Sequence, residues 1–232
     1  RLIQGIFLGA TGYLVFFVTY PLLALVAQEN WSLLFSLMLA AVLVVTLIVY
    51  PEWYVVDVCG ILIAVGVTAM FGISLSIFLV IVLLVALAAY DAVSVYRTKH
   101  MIALADVVLD LKLPTILVIP KLRGYSLFKE TKSLKEKLND GDERNAFVMG
   151  LGDFVFPGIL VASTFHNIAS NGLLIALSVM LGTLFGFVAL MRRVDQGKPQ
   201  AGLPYLCSGA ILGYVVSSYI LFGELVGFAL PI

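Results

Sequence analysis

A chain of 232 residues that is 62% hydrophobic and 12% charged, with mean hydropathy +1.09 and no formal net charge, cannot cover a soluble globule with polar surface. With no basic run interleaved with exposed aromatics, nothing in it suits a nucleic-acid partner, and none is expected. The fold class that remains is all-α, a polytopic transmembrane helical protein.

Seven stretches approach the roughly 20 apolar residues that a bilayer crossing needs. They run over 5–27, 31–50, 53–71, 74–96, 147–166, 171–191 and 204–224. Short polar or Pro/Gly-marked connections separate them, at Gln28-Glu29-Asn30, Tyr50-Pro51-Glu52, Phe71-Gly72-Ile73 and His166 to Asn171. The exception is a polar insert between the fourth and fifth spans. The expected organisation is therefore residues 1–96, N-terminal membrane helices; 97–146, the insert; and 147–232, C-terminal membrane helices. Within the insert, Met101 to Leu113 mixes apolar and acidic residues, Pro114 to Pro120 reads as a short strand between two prolines, and Lys121 to Arg144 is charged. Cys59 and Cys207 sit in apolar segments without disulfide or metal-like spacing and read as packing residues.

Charge placement sets an orientation. Of 14 Lys and Arg residues, ten lie in the insert, three follow the sixth span (Arg192, Arg193, Lys198) and one is Arg1. Seven crossings put all of them on one side, which the positive-inside rule makes cytoplasmic. Spans outside this chain would have to come in an even number to keep that agreement. The chain starts at Arg1 without a leader-like pattern, so a trimmed N-terminus is expected.

Two acids interrupt the apolar spans that flank the insert. Asp91 lies six residues before Arg97 and Asp153 nine after Arg144. At about 1.5 Å per residue, each is then roughly 9 to 14 Å inside the same boundary, where the two can face each other. A carboxylate in hydrocarbon costs several kcal/mol and marks a functional site by default, on the order of 3 kcal/mol even on lenient scales. Two adjacent carboxyls share a proton and titrate as a pair, so one can act as base and the other as acid. That is the logic of aspartic proteases, in which the ionised member activates a water and the protonated one polarises the carbonyl. Pairing alone equally suits a proton-coupled transporter or channel, or a structural pair.

Local sequence separates these alternatives. Tyr90-Asp91 lies in the fourth span. Gly150-Leu151-Gly152-Asp153 opens the fifth and runs into Phe154-Val155-Phe156-Pro157-Gly158, and Pro204-Tyr205-Leu206 begins the last. These resemble the YD, GxGD and Pro-Ala-Leu motifs of the presenilin and signal peptide peptidase family of intramembrane aspartyl proteases, with Tyr205 departing from the usual alanine. GxGD alone also marks prepilin peptidases; three motifs in order, around a polar insert, are far more specific. The compact chain looks most like the archaeal members. Family members have nine spans, so the resemblance implies two more near the N-terminus. It further implies catalytic Asp91 and Asp153, site-shaping Tyr90, Gly150, Leu151, Gly152, Pro204, Tyr205 and Leu206, transmembrane peptide substrates, and no cofactor or metal. Accessory subunits are not required by the sequence.

Physical readings of these residues stand beside the resemblance. Gly150 and Gly152 leave the backbone near Asp153 bare for a substrate strand, or simply allow close helix packing. Tyr90 can hydrogen-bond a carboxyl or serve as an interfacial aromatic. Pro157 bends its helix or is merely tolerated there. Pro204 withholds an amide and biases Leu203 towards extended geometry, or is an ordinary first-turn proline. Asp57, four residues after Trp53, reads as a snorkelling or capping acid rather than a third catalytic one. Glu29, Glu224 and His166 fall at external span ends. Asp106 and Asp110 read as a solvated or headgroup face, and His100 and His166 have no matching metal ligands.

Overall fold

The structure, a computed structural model, describes residues 2–26, 28–50, 52–95, 116–120, 146–194 and 201–228. The insert's mixed segment and its charged run, with Asp106, Asp110 and His100, lie outside the described residues. Among the described residues, seven helices and two strands follow in order: α1 Leu2–Ala24, α2 Glu29–Val49, α3 Trp53–Ser74, α4 Ile77–Val93, β1 Ile116–Pro120, β2 Ala146–Gly150, α5 Gly152–Asn167, α6 Gly172–Val194 and α7 Leu203–Phe222. By length and hydropathy, α2, α3, α6 and α7 can each cross a membrane, while α4 is an equally apolar helix of 17 residues.

The fifth expected span is corrected at its start. Residues 146–150 form a strand, and the helix begins only at Gly152. Apolar periodicity cannot distinguish a short buried strand from the first turn of a buried helix. Here β2 pairs antiparallel with β1, Val118 opposite Val148, so alternate backbone groups are satisfied across the ladder. The strand expected between Pro114 and Pro120 is present as β1.

The described chain forms two compact units. One comprises residues 1–66 and 102–151, the other 67–101 and 152–232. In the first, α1 lies along α2, and Gly12 leaves room for Val44, whose Cγ2 would meet an added Cβ at 3.1 Å. Val118 of β1 is wholly buried with Leu47, Val55 and Val56, and Leu8 and Trp53 pack around this cluster.

In the second unit, α6 and α7 touch backbone to backbone. Gly182 and Gly186 on α6 and Gly209 and Gly213 on α7 are each four apart, the small-residue spacing that lets membrane helices approach closely. A Cβ on Gly182 would run into the Gly209 carbonyl, one on Gly213 into the Ser178 carbonyl, and one on Gly186 into the Tyr205 carbonyl. That last contact seats the Pro204–Leu206 turn against α6. Helix α5 closes on the C-terminal end of α3 and the turn after it: Gly158 fits beside Thr68, Gly72 beside Ala162, and the Ser163 hydroxyl donates to the Leu75 carbonyl at 2.9 Å. At the far end of α7, the Tyr214 hydroxyl donates to the Val226 carbonyl at 2.7 Å and the Val226 amide donates to Ser218 Oγ at 3.1 Å, folding the following segment back onto the helix.

Candidate active site

Three helices of the second unit supply the site. Asp91 is the third residue from the C-terminal end of α4, and Asp153 is the second residue of α5. The third element is the N-terminus of α7. A helix leaves its first amides without intrahelical acceptors, and these need a cap. Gly202, at the capping position, has no side chain to provide one. Asp91 provides it instead: its Oδ2 accepts the Leu203 amide at 3.1 Å, and the Gly202 amide donates towards the same carboxylate. The positive end of the α7 dipole therefore points at an acid borne by another helix. Asp91 is only 3% exposed.

Asp153 reaches the same turn from the other side. Its Oδ2 lies 3.1 Å, and its Cγ 3.5 Å, from where a Cβ on Gly202 would stand. One residue thus lies against both carboxyls. The two carboxyls interact electrostatically, and standard backbone dimensions place their nearest oxygens within about 10 Å of each other. Cys207, one turn into α7, is buried. The two acids thus come from different helices to one turn, the backbone of Gly202–Leu203 at the start of α7.

Other expected site residues fall into place unevenly. Leu206 is wholly buried, and Pro204 and Tyr205 are partly buried in the turn that follows Gly202–Leu203. Of the two readings of Pro204, the first-turn one holds and the extended one does not: Leu203 to Leu206 is already helix, with Pro204 in its first turn, where the missing amide would have had no partner. Gly152 opens α5 and leaves space for the Phe156 ring, 3.2 Å from the Cβ position. Leu151 is buried, and Gly150, the last residue of β2, is exposed. Tyr90 is 72% exposed, because one residue along a helix turns the side chain by about 100°; it points away from the buried side that holds Asp91. Pro157 is buried within α5.

Two residues outside the expected set acquire a place. Gly202 is the contact common to both acids. Asp57, read from sequence as a snorkelling or capping acid, accepts the Val118 amide of β1 at 2.9 Å. The only sequence signal for Gly202 was its position immediately before the Leu-Pro-Tyr-Leu segment. For Asp57 it was the oddity of an acid in the first turns of an apolar helix.

Comparison with known proteins extends the geometric picture. The family model for signal-peptide peptidase and presenilin aspartyl protease matches residues 1–223. Two solved structures of a presenilin family intramembrane aspartate protease, in space groups C222 and P2, are each 34% identical to this chain. The first covers 93% of this chain and 74% of its own, with a TM-score of 0.64; the second covers 94% and 78%, with a TM-score of 0.60. No curated protein matches.

Proposed function

Because the chain belongs to the signal-peptide peptidase and presenilin family of aspartyl proteases, we propose that Asp91 and Asp153 are the pair with which this intramembrane aspartic endopeptidase hydrolyses peptide bonds of transmembrane helices. The observation that carries the assignment is the meeting of both acids at Gly202–Leu203, with one carboxylate on the Leu203 amide and the other against Gly202. A water between the carboxyls loses a proton to one as it attacks the scissile carbonyl. The other donates a proton to the carbonyl oxygen; as the resulting gem-diol collapses, the first carboxyl passes the water's proton to the leaving nitrogen and the second takes one back from a diol hydroxyl, which restores the pair. No metal or cofactor takes part in these steps.

A substrate helix hides its carbonyls in internal hydrogen bonds, so it must unwind before attack. The unwound piece then needs partners for its backbone, and strand addition supplies them. The Val118 amide points to Asp57 and hence away from β2, so in an antiparallel ladder its pair with Val148 is of the non-hydrogen-bonded kind. By the same alternation, Ala146, Val148 and Gly150 direct their backbone groups to the outer edge of β2. That edge, ending three residues before Asp153, is where the substrate strand adds. The Pro204–Leu206 turn, being helical, bears on substrate through its side chains instead. The bilayer is the second partner, the basic insert 97–146 faces the cytoplasm, and neither nucleic acid nor accessory subunits are needed.

The test is cleavage of a reconstituted transmembrane substrate by Asp91→Asn and Asp153→Asn. Each should be inactive yet melt like the wild type. Near-normal turnover by either purified variant would refute the pair. A peptide-like hydroxyl isostere should inhibit the wild-type enzyme.

A further inference from the structure

Strand β1 is held in two independent ways. Its Val118 side chain is wholly buried in the cluster formed by Leu47, Val55 and Val56, and its Val118 amide donates to Asp57 Oδ1 at 2.9 Å. Apolar burial fixes which face of a strand turns inward, but a slip of two residues preserves that face. The carboxylate is more selective. Shifting β1 to bring Pro120 to the place of Val118 would leave Asp57 facing a residue that has no amide hydrogen.

The consequence travels along the chain. Val118 stands opposite Val148 in β2, and five residues after Val148 comes Asp153, through Met149, Gly150, Leu151 and Gly152. Whatever fixes β1 therefore fixes β2 by its ladder, and the chain of β2 runs on through Leu151 into Gly152, the first residue of α5. We propose that Asp57 is a positioning residue for proteolysis: by holding the Val118 amide, it fixes β1 against α3 and, through the β1–β2 ladder, the chain that leads into Asp153. An acid in the first turns of an apolar membrane helix is costly unless a donor meets it. Here the donor is a strand amide 61 residues away in sequence. The inference rests on Asp153 being catalytic.

The experiment uses the full chain in proteoliposomes with a transmembrane substrate. Asp57→Leu keeps bulk and apolar contact but removes the acceptor, whereas Asp57→Asn keeps an oxygen for the amide. Asp57→Leu should lower kcat about tenfold, or about 1.4 kcal/mol of barrier, with KM within about twofold. Asp57→Asn should return kcat to within about threefold of wild type, and the Val118 amide, protected from hydrogen exchange in wild type and Asn variant, should exchange about tenfold faster in the Leu variant. Where Asp57→Leu does not fold, Asp57→Ala carries the same expectation. A wild-type kcat without the acceptor, an Asn variant as impaired as the Leu variant, or unchanged Val118 protection would each overturn the proposal. Asp153→Asn, run alongside, separates the two readings. If it still cleaves, the catalytic pair fails; if it is dead while Asp57→Leu is fully active, only the tether fails.

Discussion

Gly202 offers a perturbation that acts on the acids without unfolding the protein. Its backbone, at φ −78° and ψ −47°, is ordinary helical geometry, so a side chain is conformationally allowed there. Replacing glycine in such a position usually stabilises, by about 0.4 to 1 kcal/mol. The obstacle is local: the new methyl would stand 3.1 Å from Asp153 Oδ2 and 3.7 Å from Leu190 Cδ2, so the carboxylate must give by a few tenths of an ångström. If misplacement of about 1 Å costs about 100-fold, then Gly202→Ala should lower kcat about fourfold. Gly202→Val adds two further carbons, moves the carboxylate by about 1 Å, and should cost about 100-fold. Cleavage of a reconstituted substrate under single-turnover conditions measures the effect, and thermal melting should show no loss of stability for the alanine variant. A valine variant that cleaves like wild type would refute the placement of Asp153 against this turn.

Two further outcomes follow from the same geometry. Paired carboxyls titrate as a unit, so the cleavage rate should trace a bell against pH, governed by two macroscopic values that belong to the pair; a flat profile from about pH 4 to 9 with chemistry rate-limiting would count against a shared proton. Tyr205→Ala, beside the acids but unable to replace either in proton transfer, should change cleavage-site choice or KM while leaving the bell in place, as mapped by mass spectrometry of the fragments.

Hydropathy was enough to find the seven described helices, four of them long and apolar enough to cross a membrane, because such a segment satisfies its own backbone and must be apolar on nearly every side. It failed at Ala146–Gly150. There the apolar run continues unbroken into α5, and what divides strand from helix is a partner strand across the insert, invisible to any local window. The paired acids were legible for the opposite reason: a charge in an apolar span has few innocent explanations. Sequence left Pro204 with two readings because proline's effect depends on position, and the fold selects the first-turn one. In a first turn it removes an amide that has no acceptor, so the helix starts undisturbed. The glycines of α6 and α7 lie in plain view in the sequence, yet only the fold pairs Gly182 with Gly209 and Gly186 with Tyr205.

The capping of α7 by Asp91 links assembly to chemistry. An ordinary cap would come from the helix's own preceding residue, but a serine or aspartate at position 202 would carry a Cβ into Asp153. Glycine there keeps the space, and the orphaned Leu203 amide is left for Asp91. One vacancy thus serves two ends: it admits Asp153 to the turn and reserves the helix N-terminus for its partner. The double-glycine seam with α6 then holds that turn from behind, through the Gly186–Tyr205 contact. Closing the seam would act at a distance from the acids. A side chain at Gly186 must push back the Tyr205 backbone, and with it the amide that holds Asp91, whereas one at Gly5 or Gly9, with open space around it, should leave cleavage unchanged.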